Sequence, residues 1–171
     1  MKNKAGIAQF LVDNIALLPK GRAFDVAMGN GRNTVYLAQM GYEVEGVDIS
    51  VKRINNALEL ARKTGVIIKA QVADLEAGHH IKKNVYDVII CFNYLYRPLI
   101  PQIKDGLRQG GMVVYETFLI DQAQWRHFKN LEHLLKHNEL LDLFRDFRCL
   151  RYREGVIATQ QAIASIIAEK V

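Results

Sequence analysis

The stretch from Phe24 to Ser50, FDVAMGNGRNTVYLAQMGYEVEGVDIS, constrains this chain more than any other. An apolar run ends in two closely spaced glycines, Gly29 and Gly31. A segment with helical spacing follows, and a second apolar run ends in Asp48. Strand, glycine turn, helix and strand in that order make a ligand pocket. Glycines let the backbone approach a ligand, and the helix starting near Arg32 points its unpaired N–H groups at the same place. A carboxylate ending the second strand is placed to take both hydroxyls of a ribose. In open parallel sheets, ligands sit at the C-terminal strand ends where the winding direction switches.

The rest of the chain supplies such a sheet. RAFDVA reads as a short buried strand, and RNTVYLAQM as a helix with Val35, Leu37, Ala38 and Met40 inward, closed by Gly41. YEVEGVD is a second strand. VKRINNALELARKTG carries Ile54, Leu58 and Ala61 at helical spacing, with Ser50 as N-cap and Gly65 as stop. VIIKAQVAD is a third strand, and YDVIICFN a fourth, apolar enough to be buried on both faces. Pro98 and Pro101 open a helix toward Leu107, QGG ends it, and GMVVYETF is a fifth strand. This alternation from Arg22 to Phe118 predicts a parallel sheet with helices on both faces. ELLDLF reads as a short helix. FRCLRYREG and AIASIIAE have no convincing helix between them. A turn around Glu154–Gln160 would make them an antiparallel hairpin at the end of the sheet.

At the other end, Ile7, Phe10, Leu11, Ile15 and Leu18 recur at helical spacing. MKNKAGIAQFLVDNIALLPKG therefore reads as an amphipathic helix ending near Pro19–Gly21, not as an export signal. With 171 residues, half of them hydrophobic, the chain fits one domain over 1–171. No apolar run approaches the ~18 residues of a membrane span. Cys91 and Cys149 sit in apolar, strand-like runs without a CxxC, as buried thiols of a cytoplasmic chain would. Net charge is +5, and the densest basic run holds Arg145, Arg148, Arg151 and Arg153. Apolar residues interleave it and acids flank it, so a solvated strand edge is favoured over a nucleic-acid stripe. His133 and His137 in HLLKH would share a helix face but have no third ligand, so no metal site is expected. His79 and His80 read as an exposed loop, Trp125 and Phe128 as an anchored loop, and Met40, Met112 and Tyr36 as core.

The glycine turn and Asp48 fit two cofactor classes. Gly29 and Asp48 lie 19 positions apart, close to the ~20 of a nicotinamide dinucleotide fingerprint. That fingerprint wants a third glycine at position 34, where this chain has Thr34. Asp25, inside the first strand, is an odd residue to bury unless it orients the turn or meets a donor. Asp74, ending the third strand, adds an acceptor within reach of an adenine amino group. These details favour S-adenosylmethionine.

The residues resemble the class I S-adenosylmethionine-dependent methyltransferases from about Phe10 to Val171. DVAMGNGRN is similar to that family's acidic-start glycine motif, GVDIS to its second-strand acid and VADLE to its adenine-side acid. YDVIICFNYLY and LRQGGMVVYETF resemble its fourth and fifth strands, and the terminal hairpin its reversed last strand. GRNTVYLAQMGYEVEGVDIS, NELLDLFRDFRCLRYREG and AIASIIAEKV resemble the small tellurite-resistance-type branch, which acts on oxyanions, selenium or sulfur compounds. Ala27 stands where the family has its first glycine, and Met28 replaces a smaller residue and could narrow the pocket. Residues 119–137 match nothing in the branch.

The resemblance implies a Rossmann-like, doubly wound sheet of seven strands and a cofactor bed. Asp25, Ala27, Gly29, Gly31 and Asn33 would hold the methionine part. Asp48 and Ile49 would hold the ribose, Asp74 and Leu75 the adenine, and Phe92 and Asn93 would border the sulfonium. Tyr94, Tyr96, Arg97, Glu116 and Thr117 are the substrate-side candidates, with Arg97 suited to an anion. The expected partner is a small-molecule nucleophile. Methylation of RNA or protein, with the arginine-rich strand as docking edge, and a non-catalytic binder of the same fold remain as alternatives.

Overall fold

The alternation inside YDVIICF decides how the layers form. In the computed structural model, which describes residues 6–158 and 160–171, this segment is strand β4 (Tyr86–Phe92). Val88, Ile90 and Phe92 pack with Leu11, Leu37 and Val44 on one side of the sheet. Ile89 and Cys91 pack with Ile103, Tyr115 and Phe144 on the other. Successive strand residues point to opposite faces, so one apolar run feeds two cores.

Around β4 lie β1 (Arg22–Val26), β2 (Glu43–Asp48), β3 (Lys69–Val72), β5 (Leu107–Phe118), β6 (Arg148–Ala158) and β7 (Gln161–Glu169). The order across the sheet is β3-β2-β1-β4-β5-β7-β6. The pairs among β1 to β5 are parallel, and β7 runs antiparallel to both neighbours. The winding therefore reverses between β1 and β4, which opens a crevice at their C-terminal ends. Helices α1 (Gln9–Asn14) and α2 (Arg32–Gln39) cover one face, and α4 (Ile100–Gly106) and α5 (Glu139–Leu143) the other. Helix α3 (Val51–Thr64) rests on α2 through Ile54, Ala57 and Ala61. As its sequence indicates, Ser50 Oγ accepts the Arg53 N–H, and Gly65 ends α3 with φ +71°.

Several expectations need correcting. The first helix is shorter than its apolar spacing suggests: α1 spans six residues and passes into a 3-10 turn at Ile15–Leu17. Residues 1–5 of that expected helix lie outside the described residues, as does Thr159 of the expected hairpin turn. Ala57, not Leu58, completes the inner stripe of α3, and Leu58 and Met40 are exposed. QGG does not stop a helix in a loop. Strand β5 begins at Leu107 directly after α4, and a register shift between Tyr86 and Val88 absorbs the additional residues. Cys91 is buried, but Cys149 is exposed on the edge strand β6. HLLKH is not helical: a 3-10 turn at Leu131–His133 leads into an extended segment whose Leu134 and Leu135 are buried. Phe128 packs on Phe118, while Trp125 is 40% exposed, so only one of the two aromatics anchors its loop.

Arg97 explains how the segment after β5 is held. Its guanidinium donates to both carboxylate oxygens of Glu139, at 2.5 and 2.9 Å, and to the carbonyls of Glu132 and Leu134. Four of its five N–H groups are used, so Arg97 is committed to this clamp more than to a substrate anion. The expected result of Arg97→Met is a loss of about 2 kcal/mol of unfolding free energy, because charged hydrogen-bond partners are left unmet. Urea unfolding measures it, and unchanged stability would mean the clamp is dispensable.

A candidate cofactor site at the sheet switch point

The loop after β1 is built by backbone conformations that few residues accept. Ala27 has φ 54° and Gly29 φ 56°, both left-handed. The loop is tied to β2 twice over. Met28 N–H donates to the Val47 carbonyl at 2.8 Å, and Gly29 N–H donates to Asp48 Oδ2 at 2.9 Å. The other oxygen, Asp48 Oδ1, accepts the Ser50 N–H at 2.9 Å, and Arg53 Nη1 stands 3.9 Å from Oδ2. Asp48 is 4% exposed. Its two oxygens are oriented by the backbone, and each keeps lone-pair capacity for a ligand.

Two cavities meet at this loop. One, of about 310 Å³, lies between Asp48, Ile49, Asp74, Leu75 and Tyr94. The other, of about 570 Å³, is lined by Asp25, Gly29, Asn33, Phe92, Asn93 and Glu116. Ala27 and Arg53 line both. Ile49 is 67% exposed beside Asp48, an apolar surface on the first cavity's wall. Opposite it, Tyr94 Oη donates to Glu76 at 3.2 Å, and the Tyr94 carbonyl accepts from Tyr115 Oη at 2.8 Å. Asp74 Oδ1 accepts the Glu76 N–H at 2.8 Å, which fixes the end of β3.

Asp25 and Thr34 account for each other. Asp25 is 2% exposed, and Thr34 Oγ1 donates to its Oδ2 at 2.6 Å. The residue that breaks the dinucleotide pattern is the donor that makes the buried acid tolerable. Burial pushes the Asp25 carboxyl up to about 7; the Thr34 bond opposes this and the negative charge of Asp48 adds to it.

Some of the expected site residues do other work. Gly31 lines neither cavity. It is the N-cap of α2, and a Cβ on it would stand 2.5 Å from Ala57 Cβ, so its bareness lets α2 and α3 pack. Asn33 Oδ1 accepts the Ala8 N–H at 2.9 Å and so holds the N-terminal segment against α2. Met28 lines the larger cavity, yet it is 6% exposed and packs toward Gly46 and the α2–α3 core. Thr117 is buried away from both cavities, and Tyr96 and Arg97 line a separate groove. Conversely, Arg32, Arg53, Arg153, Gln161 and the segment 6–9 line the larger cavity although motif reading passed over them. One signal did exist for Arg153: its partner across the hairpin is Ser165, the lone hydroxyl in AIASIIAE.

A seven-stranded sheet in this order, its last strand reversed and its switch point carrying a carboxylate-tied glycine loop, is the fold of the class I S-adenosylmethionine-dependent methyltransferases. Residues 3–164 match the family described as tellurite resistance protein TehB, and the chain belongs to that family. A probable S-adenosyl-L-methionine-dependent methyltransferase TehB of Haemophilus influenzae is 24% identical over 160 residues, which are 90% of this chain and 55% of the relative. The chain spans about half the length of the curated relatives it matches. The crystal structure of TehB from Haemophilus influenzae superposes with a TM-score of 0.83 at 22% identity, covering 99% of this chain and 64% of that one. Geranyl diphosphate C-methyltransferase from Streptomyces coelicolor, solved with S-adenosyl-L-homocysteine, gives a TM-score of 0.72 at 16% identity, with coverages of 95% and 79%. Among the described residues, no helix is long and apolar enough to cross a membrane.

Two outcomes follow from the loop. Ala27→Gly relieves a left-handed alanine, a strain of about 1–2 kcal/mol, partly offset by the entropy of an added glycine. Unfolding free energy is expected to rise by about 0.5–1 kcal/mol; a fall would mean the methyl group packs usefully. Asp25 titrates near 7 when folded against 3.8 ordinarily. The folded state then keeps the proton longer, so stability declines as pH rises from about 4 to about 7 and levels off above. Between pH 4 and 8 the wild type should lose about 2–4 kcal/mol more than Asp25→Asn. Parallel pH curves for the two proteins would disprove this.

Proposed function

We propose that the chain is one methyltransferase domain, which binds S-adenosylmethionine and passes its methyl group to a small-molecule nucleophile. The observation that carries this is the meeting of two cavities at a glycine loop, with Asp48 beneath the junction. One elongated ligand fits this arrangement, with a sugar at the junction and unlike ends on either side. Asp48 accepts the ribose hydroxyls. The adenine lies in the smaller cavity between Ile49 and Tyr94, with Asp74 and Leu75 at its edge. The methionine part lies over Ala27 and Gly29, where a Cβ at position 29 would stand in open space. Asp25, on the floor of the larger cavity, balances the positive end of that group. Phe92 and Asn93 border the sulfonium.

The cofactor supplies an electrophilic methyl group, so the protein has to orient, desolvate and exclude water. Fixing the nucleophile in line with the methyl group is itself a large part of such catalysis. Thr34, fully buried on Asp25, opposes a dinucleotide there, because it fills the place where the pyrophosphate fingerprint has glycine. The arginine-rich strand gives little support to a nucleic-acid substrate. Arg145, Arg148 and Arg153 pair with Asp142, Glu169 and Glu116. The relatives' methyltransferase names support the same reading, and compartment is proposed as cytoplasmic on composition alone.

Calorimetric titration tests the proposal. S-adenosylhomocysteine is expected to bind in the micromolar range, and NAD not to bind. Asp48→Ala should weaken binding by about tenfold to a hundredfold, the loss of charged hydrogen bonds to the ribose. A thermal melt of the variant separates this from unfolding. Unchanged affinity in a folded Asp48→Ala protein would put the ribose elsewhere, and binding of NAD alone would remove the methyltransferase reading.

A further inference from the structure

The sheet has two edges, and they differ in chemistry. Strand β6, with its arginines, ends one side and β3 the other. The Ala73 N–H donates to the Asp48 carbonyl at the end of β2, at 3.0 Å. Backbone groups alternate in direction along a strand, so those of Ile68, Ala70 and Val72 turn outward. Among the described residues, no hydrogen bond reaches these three from that side. The flank of the edge is apolar. Helix α3 rests on β2 and β3, with α2 on its inner side. Its Ile54, Ala57 and Ala61 are buried, and Asn56, Leu60, Lys63 and Thr64 line the groove toward α2. The stripe left over is Val51, Asn55, Leu58 and Arg62, which lies on the side away from α2, along the β3 edge. Val51 and Leu58 are exposed, as is Val72 on β3, and Ile67 just before β3 is 90% exposed. Exposed apolar residues scattered singly are ordinary, whereas four gathered along one open edge mark a contact surface.

The pattern of the edge says what covers it. From Ile68 to Val72 the sequence IKAQV alternates apolar and polar residues about Ala70. Consider an identical strand laid antiparallel, with Ala70 against Ala70. Ile68 then faces Val72 on the α3 side of the sheet, and Lys69 faces Gln71 on the other. Centred on Lys69 instead, the pairing would set like charges directly opposite. The two α3 helices also run antiparallel, which places each Arg62 near Val51 of the second copy and not near its Arg62. Within its own chain Arg62 is bonded to Glu59, and Lys69 to Glu43. The edge thus complements itself in charge and in apolarity, as a two-fold contact must. Four residues of strand alone are a blunted edge, and the α3 stripe supplies the rest of the contact.

We propose that the β3 edge, with the outer flank of α3, binds a second copy of this chain. The two sheets join through antiparallel β3 strands about a two-fold axis at Ala70. The contact is small, so the dimer has a dissociation constant on the order of 10 μM.

Sedimentation equilibrium of the full chain, from about 1 to about 500 μM, tests this. The wild type should pass from one chain mass to two. Leu58→Lys puts a charge into the contact and should raise the dissociation constant at least about tenfold. Ala70→Pro should do the same, because it removes only an outward N–H, a change that edge strands tolerate. A thermal melt checks that both variants fold. Oxidative cross-linking in a Cys149→Ser background reads the register. Ala70→Cys should give a covalent dimer, since opposed hydrogen-bonded residues stand about 5.5 Å apart at Cα, within disulfide reach. Lys69→Cys should not, because the two copies of that position lie diagonally, about 7–8 Å apart. A wild type that stays monomeric throughout overturns the proposal and leaves the edge to a different chain. So does a dimer that a folded Leu58→Lys protein still forms with unchanged affinity, or cross-linking at position 69 and not at 70.

Discussion

The fold of the site depends on one buried carboxylate. Asp48 ends β2, and its oxygens accept one N–H from the loop after β1 and one from the turn into α3. Three chain segments are thereby fixed against each other at the point where the sheet reverses direction. The bonds are charge-assisted and shielded from water, the condition in which such bonds are strongest. The loop they hold includes a left-handed alanine, a conformation that persists only when its surroundings over-determine it. A single acid thus serves structure and ligand at once, with its remaining lone pairs turned toward the cavities.

The sheet was legible in the sequence because its signals are local and redundant. Apolar runs, glycine stops and the Ser50 cap each point to the same alternation. The seven strands and their terminal hairpin follow that reading. Boundaries set by tertiary context were less legible. Strand β5 takes in the QGG turn because Leu107 finds a partner in Tyr86, which no local rule reveals. Leu58 and Ala57 differ by one position on α3, and only the fit against α2 selects the smaller residue.

The site divides in the same way. Asp25, Ala27, Gly29, Asp48, Asp74 and Asn93 are marked by their places at strand ends, and the structure brings them to the two cavities. Arg97, Thr117 and Gly31 carry equally suggestive chemistry, yet their partners lie far along the chain: Glu139 for Arg97 and Ala57 for Gly31. Arg153 was hidden for the opposite reason. It lies in a run of arginines that looks like surface, and only pairing with β7 turns it toward Ser165 and Glu116. A glycine or an acid at a strand end declares itself, whereas an arginine's role is set by what the fold places opposite.

The arginine run also has a consequence for how the molecule behaves among its own copies. Among the described residues, strand β6 is the last in the sheet and pairs with a strand on one side only, while the Leu150 and Arg151 carbonyls accept from the Arg151 and Cys149 side chains. An open edge of eleven residues is a template onto which a second chain could lay a strand. Exposed Arg148, paired with Glu169, and exposed Arg151 lie along it, and a copy docking there would have to strip water from both guanidinium groups. Charged side chains on an edge strand oppose edge-to-edge pairing, so the arginines that first suggested an anionic partner would here work against a growing sheet.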